Sequence, residues 1–305
     1  MKQYQDLKKI LGEKLRENVL LRELTTMKVG GVADYFYEAD SPDELVAAVK
    51  VARDENISYF ILGNGSNIVV SDSGFPGLVI HNRTSNLAFL PEHSQVIADS
   101  GVSLARLIME SASKDLAGLE FLAGIPGTVG GAVYGNAGAK GFEIGDYIKT
   151  VTLFNPKNKI VRVKAPDLDF SYRSSKLKKD SPPKPIILSI KFQLSHNRKE
   201  EIVRKIGFYK ELRHKTQPWG QTAGSIFKNP DTSAEMAAGY LLEQANAKKL
   251  KVGKAFVSKK HANFVMTSGK AKAADVRLLI ERMREKVRDK HQVVLEEEIE
   301  YIGRW

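Results

Sequence analysis

Cysteine is absent from the 305 residues. That excludes a disulfide framework, a thiolate nucleophile and a Cys-based metal site. No run approaches the roughly 18 apolar residues of a membrane-spanning helix. The opening stretch, MKQYQDLKKILGEKLREN, is charged throughout and lacks the apolar centre of a signal peptide. The expected location is cytoplasmic, with no membrane partner. The six histidines are scattered and none stands in a triad motif, and no metal-ligand spacing is present, so no metal is expected. Walker and Rossmann fingerprints are missing as well.

What is present fits a soluble globular protein: 42% hydrophobic and 27% charged residues, with a net charge of +11. A positive surface suits an anionic small molecule or nucleic acid. The basic residues are spread along the chain, densest in RSSKLKKDSPPKPI (Arg173 to Ile186), and no nucleic-acid-binding signature accompanies them. A solvated lysine-rich surface is the first reading, an anionic ligand the next and nucleic acid the last.

Periodicity predicts an amphipathic helix over 4–20, on Leu7, Ile10, Leu11, Leu15 and Val19. ADYFYEA (Ala33 to Ala39) reads as a strand. A second helix follows Ser41, with Pro42 at its first position and Glu44 completing a capping box. Strand-like pieces YFIL, NIVVS, GLVIHN and SQVIAD precede a helix over Ser103 to Asp115. TVTLFN, IVRVKA and PIILSIKFQL restore the strand pattern up to about residue 194. A charged helix then opens a stretch of smaller helices and strands, whose last helix carries Val276, Leu279, Ile280, Met283 and Val287 on one stripe. The class is α+β: a large region, then a smaller α/β region beginning near 195–205.

Two glycine-rich segments offer backbone donors. In LGNGSNIVV, Gly63, Asn64, Gly65, Ser66 and Asn67 join two apolar pieces, and the segment reads equally as a hairpin turn or an anion loop. AGIPGTVGGAVYGNAGAKG holds Gly124, Gly127, Gly130, Gly131, Gly135, Gly138 and Gly141 among small residues. So many glycines suggest backbone packed against a ligand, with consecutive N–H groups forming a nest for a pyrophosphate.

At this point the chain resembles the UDP-N-acetylenolpyruvoylglucosamine reductase family, flavoenzymes of peptidoglycan precursor synthesis. The likeness runs through TTMKVGGVADYF, ILGNGSNIVVSDSGFPGLVI, GLEFLAGIPGTVGGAVYGNAGAKG, DLDFSYRSS, GSIFKNP, VSKKHANFV and LEEEIEYIG. It implies a two-subdomain FAD-binding fold of the vanillyl-alcohol-oxidase type over 1–195, split near 85–95. A substrate-binding domain over 196–305 follows, its last strand returning to the first subdomain. FAD would be held non-covalently along Gly63 to Asn67 and along Gly127, Thr128, Gly130, Gly131, Asn136, Ala137 and Gly138. NADPH would be co-substrate and a UDP-sugar the substrate, with the chain a monomer that binds no nucleic acid. The chain is similar to the shorter of two subtypes, which lacks a Tyr-bearing loop over the substrate. It departs from the pattern at Gly135, where relatives carry a larger apolar residue, and at Lys140, where an aromatic is common.

The implied chemistry adds hydride to an enolpyruvyl ether, so negative charge develops next to a carboxylate and a proton must reach the same carbon. Read alone, Arg173 in FSYRSS is an exposed arginine at a strand end. The resemblance makes it the fixed cation, a role that suits a guanidinium. Ser225 in GSIFKNP lacks a nucleophile elbow and a histidine base. A hydroxyl is a weak acid, yet it can protonate a strongly basic carbanion, and the resemblance assigns Ser225 as the proton donor. In VVLEEEIEYIG a regular strand would put Glu296, Glu298 and Glu300 on one face, and the motif selects Glu298 as the substrate-facing carboxyl. The same motifs nominate Tyr172, Lys215, Lys228, Asn229, His261 and Asn263 for the substrate, His261 equally as a structural hydrogen-bonder. Two rivals remain: another flavin oxidoreductase of this fold, and a basic nucleic-acid-binding protein.

Overall fold

The computed structural model describes residues 2–231 and 233–305. Two compact units make up the chain. The first comprises Met1–Leu15, Tyr37–Gly63 and Ile80–Arg213; the second comprises Arg16–Phe36, Asn64–Val79 and His214–Trp305. The division along the chain falls at Arg213, where the sequence reading placed it near 195, and two early stretches group with the C-terminal part.

In the first unit, helix α1 (Lys2–Leu11) is shorter than the periodicity over 4–20 predicts. Gly12 takes a φ of +62° just beyond it, the left-handed stop that glycine supplies at a helix end. Leu7, Leu11 and Leu15 are buried while Ile10 is 59% exposed, and Val19 belongs to a strand, Arg16–Leu20. Helix α2 (Pro42–Asp54) starts as expected, with Ser41 accepting the Glu44 N–H at 3.2 Å. The box closes one residue early, however. Glu44 accepts from the Asp40 N–H at 2.9 Å, and Lys14 holds both carboxylates at 2.8 Å.

The body of this unit is an antiparallel sheet in the order Ile160–Lys164, Ile148–Phe154, Ile186–Gln193, Gln95–Asp99, Leu87–Leu90. Helices α3 (Leu104–Ala112), α4 (Val129–Tyr134), α5 (Lys176–Lys179) and α6 (Lys199–Thr216) accompany it. Val151, Ile190 and Phe192 from the sheet share one core with Leu107 of α3, Val133 of α4 and Ile202 and Ile206 of α6. Alternation along Ile186–Gln193 fails because Ile186, Ile187 and Leu188 are all buried; a central strand covered on both faces reads as continuous apolar sequence.

The second unit holds helices α7 (Ala238–Gln244) and α8 (Ala273–His291) and a small antiparallel sheet of Lys251–Val252, Ala255–Val257 and Val265–Thr267. Val276, Leu279, Ile280, Met283 and Val287 of α8 are all fully buried, as their spacing predicts. Ile68–Val70 pairs in parallel with Glu300–Ile302, so GNGSN does not close a hairpin between neighbouring strands. Among the described residues no helix is long and apolar enough to cross a membrane.

The N-terminus of α8 is capped from a distant loop. Both Asp72 carboxylate oxygens accept from it, Oδ1 from the Ala273 N–H at 2.9 Å and Oδ2 from the Ala274 N–H at 3.0 Å. Two of the end's unpaired donors are satisfied there, and a negative charge faces the positive end of the helix dipole. Asp72→Ala is expected to lower stability by about 1–2 kcal/mol, read as a lower urea midpoint, with Asp72→Asn losing less.

Candidate functional site

Within the second unit the GSIFKNP segment is held without being part of a regular strand. Ser225 is bridged to Phe264 and Phe227 to Glu297, both antiparallel. The Ile226 N–H donates to the Asn263 carbonyl at 2.9 Å. The Asn263 side chain then holds both backbone groups of Phe227: its Oδ1 accepts from the Phe227 N–H at 2.9 Å, and its Nδ2 donates to the Phe227 carbonyl at 2.8 Å. Asn263 is 3% exposed. Its carboxamide therefore holds the serine's segment, which corrects its expected place against the substrate. Ser225 itself is half-buried, and among the described residues its hydroxyl makes no hydrogen bond.

Glu298 is brought to the same place. Its N–H donates to the Ile226 carbonyl at 2.8 Å, and the Lys228 N–H donates to the Glu296 carbonyl at 2.9 Å. Regular strand covers Glu300–Ile302 alone, so the three-glutamate face is irregular. Even so, Glu296 is exposed, Glu298 is half-buried, and Leu295 and Ile299 sit in the core.

The other nominated residues divide by their partners. The Lys228 ammonium pairs with the Glu296 carboxylate, and Asn229 Oδ1 accepts from the Ala238 N–H at the start of α7, at 3.1 Å. Lys215 is exposed on the last turn of α6. His261 Nδ1 accepts from the Asn263 N–H at 3.2 Å, and its ring meets Phe264 edge-on at 4.9 Å. His261 thus takes the structural alternative, one step behind the Asn263 grip. A Cβ on Gly239 would lie 2.7 Å from that ring, so the glycine admits the imidazole.

In the first unit the second glycine segment forms α4. Thr128 caps it by accepting the Gly131 N–H at 3.3 Å. The Val129 and Gly130 N–H groups donate to the Val102 and Ser100 carbonyls, both at 2.8 Å. These donors are spent inside the fold, so Gly130 is there for packing: a Cβ would stand 2.8 Å from that of Ser100. Asn136 also departs from its expected role at the cofactor. It is fully buried, donates to Glu143 at 2.6 Å and to the Ser171 carbonyl at 3.0 Å, and accepts from the Gly145 N–H at 3.0 Å. Lys140 is exposed at the tip of the tight turn joining Ala139 to Phe142, and Gly135 has ordinary room for a side chain.

Asn136 steadies the turn that presents Arg173. The Ser171 and Ser174 peptides exchange hydrogen bonds at 3.0 and 2.9 Å, and Arg173 occupies the third position of that turn at φ +54°. That conformation favours glycine, so an arginine there is strained, and such strain accompanies functional positions. Ser175, fully buried, anchors the turn by donating to the Tyr134 carbonyl at 2.7 Å. The guanidinium lies 5.4 Å from the centre of the exposed Tyr172 ring.

A second arginine went unnoticed in the sequence. Burial, and then the positive charge of Arg173, push the Arg213 guanidinium below its ordinary range. Nothing in the chain order marks Arg213, since it lies near the end of α6, forty positions beyond Arg173.

The residues fit a dinucleotide in part. In the first unit Gly63 abuts Thr128, where a Cβ would come within 2.7 Å of the hydroxyl oxygen, and among the described residues the Gly127 and Thr128 N–H groups have no acceptor. In the second unit Gly65 has φ +58° and no room for a Cβ against the Leu24 carbonyl, 2.5 Å away. There the Asn64 and Gly65 N–H groups likewise lack an acceptor among the described residues. These backbone donors are open to an anion, whereas the Ala137 N–H is spent on the Ala132 carbonyl at 2.8 Å and the Gly130 and Gly131 N–H groups and the Asn136 side chain bond within the fold. No group of three or more His, Cys, Asp or Glu among the described residues could hold a metal.

Comparison with known proteins places this geometry in a class. A family profile for an FAD binding domain matches residues 33–164, so the first-unit glycine segment lies in an FAD-binding domain. A second profile, for the UDP-N-acetylenolpyruvoylglucosamine reductase C-terminal domain, matches residues 215–302. The protein of that reductase name from Carboxydothermus hydrogenoformans is 39% identical over 98% of this chain and 97% of its own. The Bacillus subtilis protein of the same name is 37% identical over 98% and 97%. The crystal structure of the Thermus caldophilus reductase superposes with a TM-score of 0.79 at 34% identity, covering 95% of this chain and all of that one. A glucose dehydrogenase at 15% identity, TM-score 0.51, covers 64% of this chain and 44% of its own and shares the fold alone. The chain belongs to the UDP-N-acetylenolpyruvoylglucosamine reductase family.

His261 yields a pH dependence. Burial, reinforced by Lys248 and opposed by Glu243, holds its pKa below the ordinary 6.5. The unfolded chain therefore takes up the proton first as pH falls, and the stability His261 contributes is present above about 6.5 and lost below it. The drop in urea midpoint between about pH 7.5 and pH 5.5 should be smaller in His261→Gln than in the natural chain. Equal drops would assign the dependence to another group.

Proposed function

We propose that this chain is an FAD-dependent, NADPH-consuming reductase that converts UDP-N-acetylenolpyruvoylglucosamine to UDP-N-acetylmuramate in peptidoglycan precursor synthesis. The observation that carries the reading is the pairing of Ser225 with Glu298 through the Ile226 carbonyl and the Glu298 N–H, in a chain with near full-length relatives of that activity. FAD, when bound, supplies the hydride that NADPH delivers. The chain's own residues meet the remaining demands. Arg173, held rigidly on its turn, offers a fixed positive charge to the enolpyruvyl carboxylate while negative charge builds on the neighbouring carbon, and Arg213 adds to the same field. The Ser225 hydroxyl donates its proton to that carbon, a transfer a weak acid can make because the carbanion is a far stronger base.

Glu298 positions the carboxylate or the proton donor, and a neutral carboxyl suits either task. Lys215 and Asn229 are assigned to the diphosphate, and Tyr172 to the sugar nucleotide. The net charge of +11 draws in both anionic ligands. The protein works as a cytoplasmic monomer, without nucleic acid.

Two experiments test this. Ser225→Ala should still let NADPH bleach the flavin absorbance but should slow reoxidation by the enolpyruvyl sugar nucleotide by about 10²–10⁴-fold, the contribution of a positioned acid; equal slowing of both half-reactions overturns the role. Glu298→Gln should keep far more of the reoxidation rate than Glu298→Ala, and equal losses exclude the neutral carboxyl.

A further inference from the structure

The Glu298 peptide is held on both sides. Its N–H lies on the Ile226 carbonyl, next to Ser225, at 2.8 Å. Its carbonyl accepts from Asn67 Nδ2 at 3.1 Å. Two residues on, the Glu300 N–H donates to the Asn67 carbonyl at 3.0 Å, and from there Glu300–Ile302 runs parallel to Ile68–Val70. Asn67 thus extends that ladder past its natural end, its side-chain amide standing where a strand peptide would. Ile299, between the two contacts, is buried in the core, so the backbone of Glu298 has little freedom left.

Asn67 is also the last residue of the glycine loop that the sequence assigns to FAD. We infer that Asn67 is a positioning residue for Glu298: its carboxamide sets the reach of that carboxyl, and it ties the cofactor loop to the residue that handles substrate. The inference rests on the reaction role given to Glu298 above. It assigns the Asn67 side chain to the Glu298 carbonyl rather than to the cofactor, leaving the Asn64 and Gly65 backbone for the latter.

Two variants test it. Asn67→Asp keeps the shape but sets a carboxylate oxygen against the Glu298 carbonyl, and Asn67→Ser removes the donor while leaving the main-chain bond to Glu300. FAD affinity of the serine variant, read by titrating the apoprotein and following flavin fluorescence, should stay within about twofold, because the donor it removes is spent on the Glu298 carbonyl. Flavin reduction by NADPH should be unchanged. Reoxidation by the enolpyruvyl substrate should slow by about tenfold in the serine variant and more in the aspartate variant, the scale expected when a reacting group shifts by a fraction of an ångström. Introduced into Glu298→Ala, neither change should slow reoxidation further. Weakened FAD binding, slowed NADPH reduction, or an undiminished effect in Glu298→Ala would overturn the inference. If the natural enzyme were not reoxidised by this substrate at all, the proposed function would fail instead.

Discussion

Segments that carry chemistry leave strands and helices early, and their peptide groups must then find partners elsewhere. Here side-chain carboxamides take that place. Asn263 holds both backbone groups of Phe227 beside Ser225, and Asn67 holds the carbonyl of Glu298. Asn136 fixes the Ser171 carbonyl at the root of the Arg173 turn. Asn82, at the end of the strand Phe75–Asn82, accepts from the Thr84 N–H just beyond it and donates to the Ser100 hydroxyl. A buried peptide without a partner costs about as much as a lost hydrogen bond, so these loops depend on their asparagines for shape. An amide is suited to the task because it donates and accepts in one plane, as a peptide does.

The same economy explains which residues remain for ligands. Where a glycine's N–H is taken by a carbonyl, as at Gly130, the missing side chain serves close packing. Where it is not, as at Gly65, the backbone remains as a donor. Arg173 is the complementary case: a charged residue accepts a backbone angle that glycine would adopt without strain. The surrounding anchors, Asn136 and Ser175, keep it there.

Much of the fold was legible because it follows period and punctuation. The stripe on α8, the cap at Ser41 and the central strands could all be read from spacing. The opening helix is shorter than its apolar spacing implies, because that spacing runs on through Gly12 into the strand Arg16–Leu20 and glycine ends the helix first. Motifs in the sequence nominate site residues but do not say what each side chain bonds. Asn136 and Asn263 look like ligand residues in sequence, since an amide within a recognisable motif carries no mark of what it bonds. Arg213 was invisible because its significance lies in nearness to Arg173, which no local pattern encodes. Asp72 was missed for the same reason: its helix begins two hundred positions later.

The parallel pairing of Ile68–Val70 with Glu300–Ile302 also bears on how the chain is made. A ribosome delivers Ile68 long before Glu300, so the early stretches Arg16–Phe36 and Asn64–Val79 emerge without most of the unit they join. Local contacts can form in the first unit during synthesis, but the second closes only once nearly the whole chain is out, after a long and entropically costly loop. In the interval the apolar edge of Ile68–Val70 has no neighbour, the condition under which nascent strands find wrong partners. Completion of the serine's unit is therefore among the last events in the protein's biosynthesis, and a nascent chain stalled short of residue 300 would leave Ile68–Val70 without its partner strand.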